Sequence, residues 1–261
     1  GVRDRWGLVI VTTTDAHVAQ YIGPPFVYGF ERVGTSCGAI SRQSAVGVDQ
    51  GVFWMGRRGF YRFAGGAVEE IPCEAHDLVF DDLNLSQASK VWAVANAEFS
   101  EIWWFYPSSS DTEIDRYVAL DYMTGAWTAG AISRTTGVDR GVFRRPVWTD
   151  GTNIYEHESG SAHGSESVYA ETGPISLGAG ENVMYATQLI PDEESQGDAQ
   201  IRFKTRFYPN DTEREYGPYT LGNPTSVRFS GRQVRMRVEG VANTPWRAGT
   251  QRLTVEQGGR R

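Results

Sequence analysis

Cysteine, lysine and long apolar runs are what this chain of 261 residues has least of. Its two cysteines, Cys37 and Cys73, lie far apart, fit no metal-ligand spacing and sit among apolar or small residues. They read as two reduced thiols, with a single long-range disulfide as the alternative. Only two of the 25 basic residues are lysine, Lys90 and Lys204. That arginine bias suits planar, bidentate contacts across extensive interfaces, and it suits a compositional origin equally well. No stretch approaches the about 18 apolar residues of a membrane-crossing helix, so no membrane span is expected. No basic-then-apolar signal segment opens the chain. There is no initiator methionine, and Gly1 starts inside a pattern, which reads as a processed or truncated product.

Catalytic signatures are missing too. Gly-x-Ser-x-Gly, a phosphate-binding loop and HExxH are all absent, so no enzymatic activity, catalytic residue or cofactor is expected. One group has the composition of a metal site: Glu156-His157-Glu158 with His163. Its two histidines lie six apart, which is neither one helical turn nor a zinc-finger spacing. In a strand, Glu156 and Glu158 share a face and His157 points away, so the group reads as a strand end. Asp81 and Asp82 supply half of a glycosidase-like carboxylate pair. Neighbours in extended chain point oppositely, and capping or turn formation is the simpler role.

Glycine and aromatic residues are plentiful: 30 Gly and 32 Phe, Tyr and Trp together. The chain is organised around residues 51–72. Val52-Phe53-Trp54-Met55, Phe60-Tyr61-Arg62-Phe63 and Val68-Glu69-Glu70-Ile71 are short apolar runs separated by Gly56-Arg57-Arg58-Gly59 and Gly65-Gly66. Adjacent glycines accept the positive φ of a tight hairpin, and the pattern predicts an antiparallel meander. The unit recurs. Residues 147–155 overlay 53–61 without a gap, placing Trp148 on Trp54 and Tyr155 on Tyr61 at an offset of 94, twice 47. Between them lies another meander: 91–94, 102–106 and 117–120. A blade-like sheet every ~40 to 50 residues predicts β-propeller blades over 1–169, three or four of them and so fewer than a closed ring needs. Unrelated hairpins in one sandwich are the plainer alternative.

Two hairpins flank these meanders: 8–14 with 18–22, stopped by Gly23-Pro24-Pro25, and 121–127 turning at Gly125. Residues 81–90 carry acid at the start and Lys90 at the end, which predicts a single helical turn. Residues 159–165 resemble a linker. Beyond Val168 the texture changes. Ile201, Phe203, Thr205 and Phe207 share one face and Arg202, Lys204 and Arg206 the other. Val234-Arg235-Met236-Arg237-Val238 alternates likewise, and breaks fall at 191–197, 209–211 and 222–224. The pattern predicts a second domain, 170–261, a small β-sandwich with basic outer strands. Net charge is −7, against general nucleic-acid binding. From Gly231 onward seven Arg and two Glu give +5, leaving −12 for the rest.

The order of these pieces resembles the propeller-containing tail hub or nozzle proteins of short-tailed bacteriophages, the packaged-DNA stabilisation family. The residues carrying the resemblance are Phe53-Trp54-Met55-Gly56 with Gly59-Phe60-Tyr61 and Gly65-Gly66, Ile71-Pro72-Cys73, 79–84, and Glu101 to Pro107. They continue through Asp115-Arg116-Tyr117-Val118, Trp127-Thr128-Ala129-Gly130, 155–160, Trp246-Arg247-Ala248-Gly249 and 258–261. The likeness covers roughly 30–261 and rests on order, since no single motif is specific. It implies a structural virion protein of the tail, assembled in the host cytoplasm. It implies a homo-oligomeric ring, hexameric in the family, below the portal and adaptor. That ring would line the DNA exit channel, help retain packaged DNA, and meet other tail proteins and passing double-stranded DNA without sequence preference. Three or four blades do not close a ring, so further blades are expected ahead of Gly1, or the barrel is open. On this reading the acidic Glu69, Glu70, Asp111 and Glu113 face the channel. The basic Arg202, Lys204, Arg206, Arg235 and Arg237 serve inter-subunit contacts. The rival expectation is a propeller carbohydrate binder or glycosidase on the host surface, with Trp54, Trp103, Trp104 and Trp148 stacking on sugars, although their apolar surroundings favour core roles.

Overall fold

The computed structural model describes the chain apart from residues 5, 6, 162, 164–166, 179, 180, 193, 194, 196, 223, 242, 260 and 261 and the side chains of residues 3 and 4. Parts of the 159–165 linker-like stretch, of the breaks at 191–197 and 222–224, and of the 258–261 match therefore lie outside the described residues. The protein is all-β, built from several small antiparallel sheets. It divides into two compact units, Gly1–Ser159 and Gly160–Arg261. The division falls ten residues before the expected 169/170 boundary. Val168 is already tied to the second unit, its carbonyl accepting from Gly240 N–H at 3.0 Å.

Four meanders follow one another in the first unit. The first sheet is β1 (Val2–Asp4), β2 (Gly7–Val11), β3 (Ala16–Gly23) and β4 (Val27–Gly34). The second is β5 (Ala45–Val48), β6 (Gly51–Met55), β7 (Phe60–Ala64) and β8 (Ala67–Ile71). The third is β9 (Trp92–Asn96), β10 (Glu101–Tyr106), β11 (Arg116–Asp121) and β12 (Trp127–Ala131). The fourth has three strands, β13 (Thr136–Val138), β14 (Val147–Thr149) and β15 (Ile154–Glu156). The β7–β8 hairpin turns at Gly65 and Gly66, whose φ angles are +60° and +92°, the left-handed region that side chains resist. The first strands β1, β5, β9 and β13 are neighbours in series. A parallel bridge between Gln43 and Trp92 ties β9 to the segment leading into β5. No closed barrel or propeller is detected among the described residues.

Alternation along the strands explains the stacking. In β6, Val52 and Trp54 enter a core shared with Val9, Ala16 and Val18 of the first sheet. Phe53 and Met55 enter a second core with Ile102, Trp104 and Leu120 of the third sheet. In β10, Trp104 faces that second core, while Phe105 enters a third core with Trp92 and Trp148. Continuous apolar runs are what strands need when both faces are buried. Trp54, Trp104 and Trp148 lie on the second strand of successive sheets, each turned toward the preceding sheet and at most 1% exposed. Their first-strand partners are small: Ala45, Ala93 and Gly137. Trp54 and Trp148 pair on the other side with Tyr61 and Tyr155, the equivalence the overlay predicts. Trp54 Nε1 donates to the Cys37 carbonyl at 2.6 Å and Trp104 Nε1 to the Ser44 carbonyl at 3.0 Å. Burying each indole contributes a few kcal/mol, about 3 to 5 by the usual cost of truncation to alanine.

The helical turn expected over 81–90 forms only in its second half, and a separate short helix precedes the stretch. α1 (His76–Phe80) ends at its cap, Asp81, and a 3₁₀ turn runs from Leu85 to Lys90. Neither aspartate caps a helix start. Asn84 does, its side chain accepting from Ser86 N–H at 3.1 Å. Asp82 instead accepts from the Ser109 hydroxyl and pairs with Arg116.

The second unit places two sheets across one core. One joins β16 (Tyr169–Glu171), β22 (Gln233–Gly240), β19 (Ala199–Arg206) and β20 (Arg214–Thr220), with β17 (Ile175–Ser176) also on β22. The other joins β21 (Thr225–Gly231), β18 (Met184–Pro191) and β23 (Gln251–Gln257). Ile201, Phe203, Val227, Phe229, Leu189 and Val238 meet in the middle. β19 alternates buried and half-buried along its length, as predicted.

Candidate functional site

The outer face of the β20–β19–β22–β16 sheet carries the basic row. Because β19 alternates, Arg202, Lys204 and Arg206 stand together, and antiparallel register sets Arg237 opposite Arg202 and Arg235 opposite Lys204. Like charges so placed repel unless countered. Four glutamates counter them. Arg202 bonds Glu239 at 2.6 Å and Glu215 at 2.9 Å. Glu171 accepts from Lys204 at 2.9 Å and Arg235 at 2.7 Å, with Arg237 at 3.9 Å. Arg235 also reaches Glu213, and Arg237 reaches Glu239 at 3.1 Å. Arg206 donates to Gln233 and to the Pro209 carbonyl. Burial opposes ionisation of Glu239, but Arg202 and Arg237 outweigh it and hold the carboxyl below its ordinary range. Hydrogen bonding to Glu239, then to Glu215, pushes the Arg202 guanidinium up. The face is thus an ion-pair lattice of both signs; Glu239 stands on β22 itself, whereas Glu171, Glu213 and Glu215 come from other segments and are hidden in the pattern of β19 and β22.

The four acidic candidates are exposed and lie as two pairs on two elements. Glu69 and Glu70 are on β8, at the opposite edge of their sheet from β5. Glu69 pairs with Arg62 at 3.2 Å. Asp111 and Glu113 sit on the loop between β10 and β11; Glu113 pairs with Lys90 at 2.6 Å. Asp111 accepts the Glu113 and Thr112 N–H groups, which lower its pKa.

The would-be metal group is a packing element. His157 stacks on Trp148 with ring centroids 3.9 Å apart, and its Nε2 accepts from Arg134 Nε at 2.8 Å. Burial, then the neighbouring guanidinium, lowers its pKa to about 4, so the ring is neutral at pH 7. Glu158 turns to Asn96, and His163 N–H to Asn243. Among the described residues no cluster of three or more His, Cys, Asp or Glu could hold a metal ion. Both cysteines are free thiols, Cys37 buried and Cys73 half-buried; desolvation pushes the Cys73 thiol up to about 11.

Trp54, Trp104 and Trp148 cannot stack on a sugar, because solvent does not reach them. Trp103 is half-buried against Tyr117 at 4.5 Å. The β3–β4 hairpin carries a surface that sequence pattern alone does not single out. Tyr21, Ile22, Phe26, Val27, Tyr28 and Phe30 are all exposed there. The run of aromatics around Pro24-Pro25 is visible in the sequence, but an apolar run does not itself say whether anything covers it. An open groove of about 520 Å³ on the second unit is lined by Tyr185, Thr187, Tyr216, Ser226 and Arg228.

Comparison with protein-family models and with curated proteins finds no match for the chain.

Proposed function

We propose that the chain is a structural component of a short-tailed bacteriophage tail, of the hub or nozzle kind. It works as propeller blades followed by a small β-sandwich in a homo-oligomeric ring below the portal and adaptor. The observation that carries this reading is the series of four meanders, with first strands side by side and each sheet packed face to face on the next. That is how blades are arranged about an axis. The sequence resemblance supplies the biological setting.

An acidic channel wall suits a DNA conduit, since like charge repels phosphates and lets the duplex slide. On this reading Glu69, Glu70, Asp111 and Glu113 face that wall, and the lattice face of the sandwich meets neighbouring subunits or other tail proteins. The test is genetic and visual: particles made without this polypeptide are imaged and their DNA retention measured. Tailless or leaking particles are expected. Intact tails with full DNA retention would sink the proposal.

The groove with Tyr185, Tyr216 and Arg228 favours one second reading, a carbohydrate contact on the sandwich. Binding on a glycan array at micromolar concentration would support it, and a blank array would remove it.

A further inference from the structure

Every sheet of the first unit has a direction. One face, carrying Trp54, Trp104 or Trp148 in the second, third and fourth sheets, turns to the preceding sheet. The other turns to the following one. Within residues 1–159 two faces of the series are uncovered, and they are of opposite kind.

On the first sheet the free face is the counterpart of the Trp54 face. Gly7 and Gly51 open the second strands of their sheets with φ of +138° and +133°, each pressed against a third-strand carbonyl, Ala19 and Phe63 respectively. That match puts Leu8 at the place of Val52 and Ile10 at the place of Trp54. Val52 and Trp54 are fully buried, whereas Leu8 is exposed. The cross-strand row Leu8–Ala19–Phe30 and the edge-to-face pair Tyr21–Tyr28, 6.0 Å apart, extend this face to the hairpin tip. Phe30 is 69% exposed.

On the fourth sheet the free face is the one that in the second sheet carries Phe53 and Met55. It presents Val138, Val147 and Ile154, and Ile154 is 79% exposed. The loop before β14 adds exposed Val142 and Phe143. Exposed Glu156, opposite Val147 on this face, and exposed Arg32, two residues beyond Phe30 on the free face of the first sheet, are of opposite sign. Exposed apolar side chains concentrated on one face of a sheet are what interfaces use.

We infer that the free face of the fourth sheet in one copy packs on the free face of the first sheet in a second copy, continuing between chains the stacking used three times within the chain. The occupant is a second copy because this chain supplies both halves of the contact, each in the orientation its own junctions use. A contact between two different patches is heterologous, and such contacts close into rings when the rotation allows. The inference deepens the ring reading by naming its subunit contact, and it rests on that reading only for the setting.

Light scattering on the whole chain tests it, using wild type, Phe30→Asp, Ile154→Asp and an equal mixture of the two variants. Wild type should exceed the 29.0 kDa monomer mass in a concentration-dependent way. Each variant alone should fall to that mass, since each lacks one half of the contact. The mixture should form dimers of twice 29.0 kDa and stop there, joined through the one intact pair of faces. Circular dichroism of each variant should match wild type, both side chains being exposed. Oligomers untouched by either substitution would overturn the inference and leave the ring reading standing. Loss with Phe30→Asp alone would mean that the first face pairs with itself, which overturns the inference as well. A monomeric wild type would mean that another segment or protein covers both faces, and it too would overturn the inference. The ring reading fails separately, through particles that keep intact tails without the polypeptide.

Discussion

At the scale of single residues, His157 is a half-buried histidine held neutral by its packing on Trp148 and by Arg134. Its folded pKa, about 4, lies below the ordinary 6.5. Between those values the unfolded chain binds the extra proton, so stability rises with pH there and is lost as pH falls from 6.5 toward 4. The interval converts to about 3 kcal/mol, and solvent screening of the half-buried ring brings that to about 1 to 2 kcal/mol. Glu101 acts in the opposite sense, because burial raises its pKa and the fold then holds the proton. Comparison therefore needs a variant. His157→Gln should lose less melting temperature than wild type between pH 7 and pH 4. Parallel curves for the two proteins would show that the ring does not carry the effect. The residue pattern discloses a strand end at 156–158, but the stack on Trp148 depends on packing that spacing does not encode.

Among elements, strands and turns are the most legible part. Gly65-Gly66, the alternation in β19 and the Trp54–Trp148 overlay each follow from local chemistry that tertiary context leaves in force. The 81–90 piece is less so: charge at its ends speaks for a helix, and Asp82 is drawn to Arg116 instead. The basic strands are half legible, because partners on β16, β20 and β22 come from distant sequence. Glu171 is the central anion of that lattice, its side chain 11% exposed among Lys204, Arg235 and Arg237. Glu171→Gln should cost about 1 to 3 kcal/mol, since charged donors lose a poorly hydrated acceptor. Glu69→Gln, which breaks an exposed pair with Arg62, should cost under about 1 kcal/mol. Urea titration of both variants checks the contrast, and equal losses would count against a special role for the lattice.

For the whole molecule, each of the two units has its own core. Seven of the eight tryptophans precede residue 160, and Trp246 alone follows it. Unfolding followed by tryptophan fluorescence should therefore report mainly Gly1–Ser159, and far-ultraviolet circular dichroism both units. Non-coincident transitions by the two probes are expected; superimposable curves would mean that the units unfold as one.

The two-sided strands β6 and β10 have a further effect on how the first unit tolerates error. Neighbouring residues along them belong to different interiors, so deleting one residue would exchange the contents of two compartments at once. Trp54 would be driven into space shaped for Phe53, and Phe53 into space shaped for Val52. Slippage there has no cheap intermediate. Insertions and deletions should collect in loops such as 107–115 and 139–146, while these two strands keep their length.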